Sequence, residues 1–125
     1  MAQAETTGGQ PAAQAGALSV AVTTSDGIRV VTPAGEIDHE SGDSLRRALD
    51  ASGGAHPRIV VDLHQVTFMD STGINILINA HHTLSEAGGR LRLAAPTTAV
   101  RRTLQIVGVD AVIDCHITLH DALTR

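Results

Sequence analysis

The nine residues Val66–Ile74, VTFMDSTGI, lie between two apolar runs and mark the passage from a strand to a helix. Either Asp70 or Ser71 is the expected N-cap, because both side chains can accept hydrogen bonds from the free N–H groups of a first helical turn. After the cap, apolar residues recur at helical spacing from Ile74 to Leu84. The Gly88-Gly89 pair is a typical helix stop. The stretch therefore predicts a long capped helix directly after an apolar strand.

The rest of the pattern predicts a hairpin followed by alternating helices and strands. Period-two alternation and the Asp26-Gly27 turn indicate paired strands, the second extended by residues 35–38 past a break at Pro33. The predicted strands are 18–22, 28–33, 59–63, 90–94 and 112–114, and the predicted helices run from the Ser41 N-cap to Gly53-Gly54, from about Thr97 to Val107, and over 119–123. This order indicates an α/β or α+β layer fold with one sheet, mostly parallel after the hairpin.

Composition narrows the function classes. The net charge is −4, Trp and Tyr are absent and there is one Phe, so neither a phosphate backbone nor stacked bases would be bound well. No apolar run reaches the ~18 residues of a membrane helix, and we expect no membrane insertion. Residues 1–16 offer only Ala as an apolar residue and are expected to form a flexible tail before one domain over residues 17–125. The single cysteine and the lack of a secretory signal pattern favour a cytoplasmic protein.

The residues offer few routes to catalysis or metal binding. Ser71 is the candidate nucleophile of a serine hydrolase, but no G-x-S-x-G elbow surrounds it. His116 and His120 stand four residues apart and would need Asp121 or Asp114 to complete a metal site; solvated side chains are the simpler reading. No glycine-rich phosphate loop occurs. We therefore expect no metal, no cofactor and no catalytic residue.

A serine at a helix N-terminus can accept a phosphate without breaking the fold, because the helix dipole favours negative charge there. Ser71 therefore suits a phosphorylation switch that changes binding. The helix face away from the predicted core carries Asn75, Ile76, Asn79, Ala80 and Thr83. We expect Ile76 to be exposed on this face, where it would form part of a docking patch.

Three motifs in order resemble one family. They are Gly35-Glu36-Ile37-Asp38 with Ser41 and Leu45, then Val61-Asp62-Leu63 with Val66–Ile74, then Ala99-Val100-x-Arg102-x-Leu104 with Gly108-Val109. Together they resemble the STAS domain of bacterial anti-sigma factor antagonists. The resemblance implies an α/β, STAS-type fold with a four- to five-stranded mixed, mostly parallel sheet and about four helices, packed mainly on one side.

The resemblance also implies a role and partners. Such an antagonist binds an anti-sigma factor that is a serine kinase of the histidine-kinase-like ATPase type, and so releases a sigma factor. Phosphorylation of the serine, here Ser71, ends binding, and a PP2C-type phosphatase reverses it. By the resemblance, Asp70 and Thr72 flank the phosphoacceptor Ser71 and shape its loop, and Asp38 lies in the loop beside it as a contact with the kinase. With the outer-face candidates, the predicted partner-binding residues are Asp38, Asp70, Ser71, Thr72, Gly73, Asn75, Ile76 and Asn79.

The sequence departs from the family in Gly73-Ile74-Asn75, where Gly-Leu-Gly is common, and at Asn79, which replaces a small residue. Both changes concern partner identity more than fold. Two alternatives remain open: a STAS subunit of a stressosome or membrane transport complex, and an enzyme with Ser71 as nucleophile.

Overall fold

The computed structural model describes residues 18–50 and 57–124. These residues form a mixed β-sheet with helices on both faces. The strands are β1 Leu18–Ser25, β2 Ile28–Ile37, β3 Arg58–Asp62, β4 Val66–Met69, β5 Arg90–Ala94 and β6 Asp114–His116. The helices are α1 Gly42–Ala48, α2 Ser71–Glu86, α3 Thr98–Val107 and α4 Leu119–Thr124, with a 3₁₀ turn at Val109–Ala111.

The long strand β2 organises the sheet by pairing with two strands in succession. The first half of β2 pairs with β3 and its second half pairs with β4, and both pairs are parallel. All of β1 pairs antiparallel with β2, up to Gly35. The order β1-β2-β3-β5-β6 completes the sheet. The partner changes between Val31, the last residue paired with β3, and Gly35, the first paired with β4. The β2–β4 register is irregular between Gly35 and Glu36, where Gly35 has φ 117° and its N–H donates to the Gln65 carbonyl (3.0 Å). The second half of β2 is thereby held against β4.

The two faces of the sheet bury different cores, because successive strand residues point to opposite sides. Val31, Val61 and Leu93 face the larger core, where Leu45 of α1, Leu77 of α2 and Leu104 of α3 pack on them. The alternate residues Ile28, Val60 and Ala94 face a smaller core closed by Ala122 of α4. Three helices thus cover one face and the short α4 covers part of the other.

The predicted α/β fold is confirmed, and the strand count is corrected from four or five to six. Val66–Met69 is a separate strand, although its burial pattern does not alternate. The predicted break at Pro33 is wrong, since β2 runs through it to Ile37. The last strand starts at Asp114 rather than Val112, because the N–H groups of Val112 and Ile113 both donate to the Val109 carbonyl in the 3₁₀ turn and are not available to the sheet. The predicted helix end at Gly53-Gly54, the tail over 1–16 and the start at Ala17 lie outside the described residues.

Candidate functional site at the carboxyl ends of β2 and β4

The ends of β2 and β4 bring Asp38 and Asp70 to the same edge of the sheet. Ile37 and Met69 are register partners in this parallel pair, and the Asp70 N–H donates to the Ile37 carbonyl at 3.1 Å. The residues that follow them, Asp38 and Asp70, therefore leave the sheet side by side. Two sequence motifs more than thirty residues apart meet at this edge.

Asp70, and not Ser71, is the N-cap of α2. Its Oδ1 accepts hydrogen bonds from the backbone N–H groups of Thr72 (2.8 Å) and Gly73 (3.4 Å). Its carbonyl accepts from the N–H of Ile74 at 3.2 Å. A carboxylate suits this position because it accepts hydrogen bonds from the free N–H groups and its negative charge interacts favourably with the positive end of the helix dipole. The cap is therefore already occupied by an acid within the chain.

Ser71 is the first residue of α2, and its side chain is exposed. Its hydroxyl has no hydrogen-bond partner among residues 18–50 and 57–124. By contrast, Thr72 is partly buried and Gly73 is fully buried. A Cβ on Gly73 would lie 2.5 Å from Met69 Cγ and 2.9 Å from Ile37 Cγ2, so only glycine lets α2 begin this close to the strands. Gly73 therefore allows α2 to start close to β2 and β4, but it is buried and provides no surface for a partner to contact.

The Asp38 carboxylate is held by a group of hydrogen bonds from the loop that contains Ser41. Its Oδ1 accepts from the backbone N–H groups of Glu40 and Ser41, both at 3.0 Å. The Ser41 hydroxyl lies 2.9 Å from the same Oδ1 and 2.8 Å from the Glu36 carbonyl, and it accepts from the Asp38 N–H at 3.0 Å. The Ser41 side chain, followed by its backbone N–H, lowers the pKa of Asp38 below the ordinary value. Asp38 is thus an ionised, fixed acid at neutral pH.

Ser41 does not cap α1 as the sequence predicts. It occupies the N-cap position, but its side chain makes no capping hydrogen bond. The hydroxyl turns back toward Asp38 and Glu36 instead, so Ser41 serves the loop after β2.

The outer face of α2 is only partly exposed. Asn75, Asn79 and Thr83 are exposed as expected. Ile76 is only 3% exposed, so its predicted place on an outer docking patch is wrong. Helix α1 covers it: a Cβ on Gly42 would lie 2.7 Å from Ile76 Cδ1. Tertiary packing of a second helix, which the periodicity of α2 does not contain, buries this residue.

A groove of about 320 Å³ runs between α1 and α2. Ile76 and Ala80 line it together with Arg46, Arg47, Leu49, Asp50, Asn79 and Thr83. Ile76 and Ala80 are both buried side chains, so they contribute to the floor of this groove rather than to a raised apolar patch. The groove therefore has an apolar floor and polar walls, and its first lining residue on α2 is Ile76, five residues after Ser71.

Phe68 is a candidate residue that the sequence interpretation passed over. This residue, the chain's lone aromatic, is 48% exposed, two residues before the Asp70 cap. It pairs in register with Glu36 of β2. Strand alternation would place it on the same face as the buried Val66, so its exposure is not evident from the pattern. Aromatic side chains are enriched in protein–protein interfaces, so Phe68 is a candidate contact residue.

The other candidate chemistries find no support among the described residues. His116 ends β6 while His120 lies in α4, so they do not share a helix face. No cluster of three or more His, Cys, Asp or Glu side chains suited to a metal ion occurs within residues 18–50 and 57–124. Burial, then Asp110 and Asp114, raises the pKa of the Cys115 thiol to about 11, which makes it a poor nucleophile. In the same two ranges, no helix is long and apolar enough to cross a membrane.

Comparisons with known proteins agree with this architecture. The anti-sigma-F factor antagonist RsfB of Mycobacterium tuberculosis is 30% identical over 108 residues, covering 86% of this chain and 88% of RsfB. An anti-sigma-B factor antagonist of Bacillus subtilis is 33% identical over 99 residues, covering 78% of this chain and 89% of its own. The crystal structure of an anti-sigma factor antagonist from Mycobacterium paratuberculosis superposes with a TM-score of 0.77 at 33% identity, covering 86% and 92% of the two chains.

These relatives are named as antagonists of regulatory proteins, not as enzymes. The STAS domain family matches residues 19–122, which include every strand except the first residue of β1 and all but the end of α4. The chain belongs to the STAS domain family.

Proposed function

We propose that this protein is an anti-sigma factor antagonist, a regulator rather than an enzyme, whose binding is switched off by phosphorylation of Ser71. The relatives named above support the first part, since they are called antagonists of anti-sigma factors. The observation that carries the second part is the exposed Ser71 hydroxyl, which is unpartnered within the described ranges and directly follows the capping residue Asp70. A kinase can reach this hydroxyl without unfolding the chain.

The occupied cap determines what a phosphate on Ser71 would do. The N–H groups of Thr72 and Gly73 already donate to Asp70, so they are not free to bind a new phosphate. The added group, with a charge of about −1.5 to −2 at neutral pH, would project into solvent beside Asp70 and Asp38. The fold is expected to stay unchanged, and the charge of the surface to change sharply.

The surroundings of Ser71 are acidic before any phosphate is added. Four acidic residues lie at or just after the ends of β2 and β4: Glu36, Asp38, Glu40 and Asp70. Glu36 and Glu40 are exposed. A partner that docks here has to present complementary charge or hydrogen-bond donors. A phosphoserine at close contact would have to lose its water, which is costly unless the partner supplies new donors. This cost explains how one phosphate would release a bound anti-sigma factor.

The groove between α1 and α2 is the proposed docking surface next to the switch. Asn79 provides an exposed polar contact along it, Ile76 and Ala80 form part of its floor, and Asn75 is exposed one helical turn nearer to Ser71. Phe68, three residues before Ser71, provides an exposed aromatic side chain for contact with the partner. Asp38, Asp70 and Thr72 position the loop and the helix start. Ser71 lies between Phe68 and these helix residues in the chain, so we expect a partner that contacts both to contact Ser71 as well.

The proposed partners follow from this role. They are a cytoplasmic anti-sigma factor that is also a serine kinase of the histidine-kinase-like ATPase type, and a PP2C-type phosphatase that removes the phosphate. No nucleic acid and no membrane insertion enters this scheme.

Binding of the anti-sigma factor from the same organism tests the proposal by isothermal titration calorimetry. Wild type and Ser71→Ala are expected to bind alike, because alanine keeps the surface small and uncharged. Ser71→Glu is expected to bind at least tenfold more weakly. Ser85→Glu is the matched control: it adds the same charge at an exposed position near the far end of α2 and should bind like wild type.

Equal binding by Ser71→Glu and wild type would refute the switch. Equal weakening by Ser85→Glu would show that the effect is general charge rather than the site. Pull-down from the native cell adds a second check: recovery of a stressosome or a transporter with no anti-sigma factor would refute the proposed partner class.

A further inference from the structure

Three arginines gather at the opposite edge of the sheet, far along the strands from Ser71. Arg58 begins β3, Arg90 begins β5 and Arg92 lies two residues further along β5. All three line a groove of about 190 Å³ whose apolar walls include Ile28, Val60 and Leu123. The chain has nine basic residues in all, every one an arginine, so a third of them meet in this groove.

The register of the sheet places these side chains together. Arg58 and Arg90 are direct partners in the parallel β3–β5 pair, and Arg92 pairs with Val60. Alternation then puts all three on the face that α4 covers, together with Val60 of the smaller core. The end of α4 closes the groove through Ala122, Leu123 and Thr124.

Packing accounts for Arg92 but not for its two neighbours. The Arg92 Nη1 donates to the Ala122 carbonyl (2.9 Å) near the end of α4, and Asp114 is its register partner on β6. Arg58 donates only a long hydrogen bond, 3.4 Å, to the Asp26 carbonyl. Neither Arg58 nor Arg90 forms an ion pair with any residue that the structure describes. Like charges directly opposite on neighbouring strands destabilise a sheet.

The pKa of Arg92 is affected by the positive charges of its two arginine neighbours. Burial is the main cause of the lowered pKa of its guanidinium, and the charge of Arg90 and then of Arg58 lowers it further, while Asp114 acts in the opposite sense. The groove is therefore a local excess of positive charge on a chain whose net charge is −4.

We propose that the Arg58–Arg90–Arg92 groove binds a phosphate group. Guanidinium groups bind phosphate oxygens in bidentate fashion, and three of them on one wall offer more donors than one phosphate needs. The groove is smaller than the roughly 300–1,000 Å³ of pockets for drug-sized ligands. It suits an inorganic phosphate, or the phosphate of a larger molecule whose apolar part rests on Ile28 and Leu123.

This site is separate from the proposed phosphorylation switch. Ser71 follows the carboxyl end of β4, whereas Arg58 and Arg90 start their strands, and the groove lies under α4 on the other face of the sheet. A phosphate bound here neutralises the repulsion among the arginines and stabilises the contact of α4 with β3 and β5.

Titration with sodium phosphate, followed by amide NMR at constant ionic strength, tests the site, with sodium chloride as the reference. We expect saturable shifts at Arg90, Arg92, Leu123 and Thr124. The double variant Arg58→Gln/Arg90→Gln should weaken binding at least tenfold. Arg90→Lys, which keeps the charge and loses the planar fork, should weaken it less. The control Arg102→Gln removes an exposed charge on α3 and should bind like wild type.

A second arm separates a soluble phosphate from a lipid headgroup, through flotation with vesicles of phosphatidylcholine with or without phosphatidic acid. Saturable binding in either arm that is lost in the double variant supports the site and names the source. Lack of saturable binding in both arms overturns the proposal. It is equally overturned if chloride produces the same shifts, or if Arg102→Gln weakens binding as much as the double variant. Far-UV circular dichroism confirms that each variant is folded before binding is compared.

Discussion

Replacing Asp70 separates its two roles, the helix cap and the charge beside Ser71. Asp70→Ala removes the acceptor of two N–H groups at the start of α2. Loss of an N-cap costs about 0.5–2 kcal/mol, and a charged acceptor with two donors belongs in the upper half of that range. We therefore expect a loss of about 1–2 kcal/mol in the free energy of unfolding. Asp70→Asn keeps the cap and loses the charge, for which we expect about 0.5 kcal/mol.

Urea unfolding followed by far-UV circular dichroism measures these losses, because the chain contains no Trp or Tyr for fluorescence. With an m-value of about 2 kcal/mol per molar urea, the middle of the usual range, the midpoint for Asp70→Ala should fall by about 0.5–1 M. The melting temperature should fall by about 4–8 °C per kcal/mol for a domain of this size.

Equal destabilisation by Asp70→Ala and Asp70→Asn would refute the capping argument, since charge alone would then account for the loss. An unchanged midpoint in Asp70→Ala would refute it as well. In that case Ser71 would have free N–H groups beside it, and a phosphate on Ser71 would be drawn into the helix start instead of projecting into solvent.

Three further predictions address the rest of the site. Ile76→Ala should cost about 2–5 kcal/mol in urea unfolding, because it empties a buried position under α1, whereas the exposed Asn79→Ala should change stability by less than about 0.5 kcal/mol; equal effects would contradict the packing of α1. Ser41→Ala should raise the pKa of Asp38 toward 3.8 in a carboxyl NMR titration. Since the pKa of Asp38 in the folded protein lies below the ordinary value, the stability that ionised Asp38 contributes is complete above about pH 3.8 and is lost as the pH falls through the folded pKa. An unchanged pKa in Ser41→Ala would contradict the assigned role of the Ser41 hydroxyl. Cys115, with a pKa of about 11, should react slowly with Ellman's reagent at pH 8 and rapidly in urea; fast reaction of the folded protein would contradict its burial.

The features that local sequence could predict are those set by nearby residues. The cap before α2, the period of that helix and the strands 90–94 and 59–63 all follow from patterns a few residues long, and the structure has them within a residue or so. The α/β order followed from these elements. Asp70 and Ser71 were correctly placed at the start of α2, with the cap left open between them.

The features that sequence did not predict depend on contacts between distant segments. Ile76 is buried because α1 lies over it, and α1 is almost thirty residues earlier in the chain. The pairing of β4 with the second half of β2, beyond the residues that pair with β3, joins segments about thirty residues apart in the chain. Ser41 has every local feature of an N-cap, yet its hydroxyl is used by Asp38 and Glu36. Likewise, the three arginines of the phosphate groove converge only through the register of β3 and β5.

Direct mapping of the phosphate tests the central proposal, that Ser71 is the residue at which this regulator is switched. The protein is incubated with ATP and the proposed anti-sigma factor kinase from the same organism. The modified residue is located by peptide mass spectrometry, with Ser71→Ala as the control. The prediction is a single phosphate on Ser71 and none on the variant. Phosphate on Thr72 or any other residue of the wild type, or an equally modified Ser71→Ala protein, would contradict it.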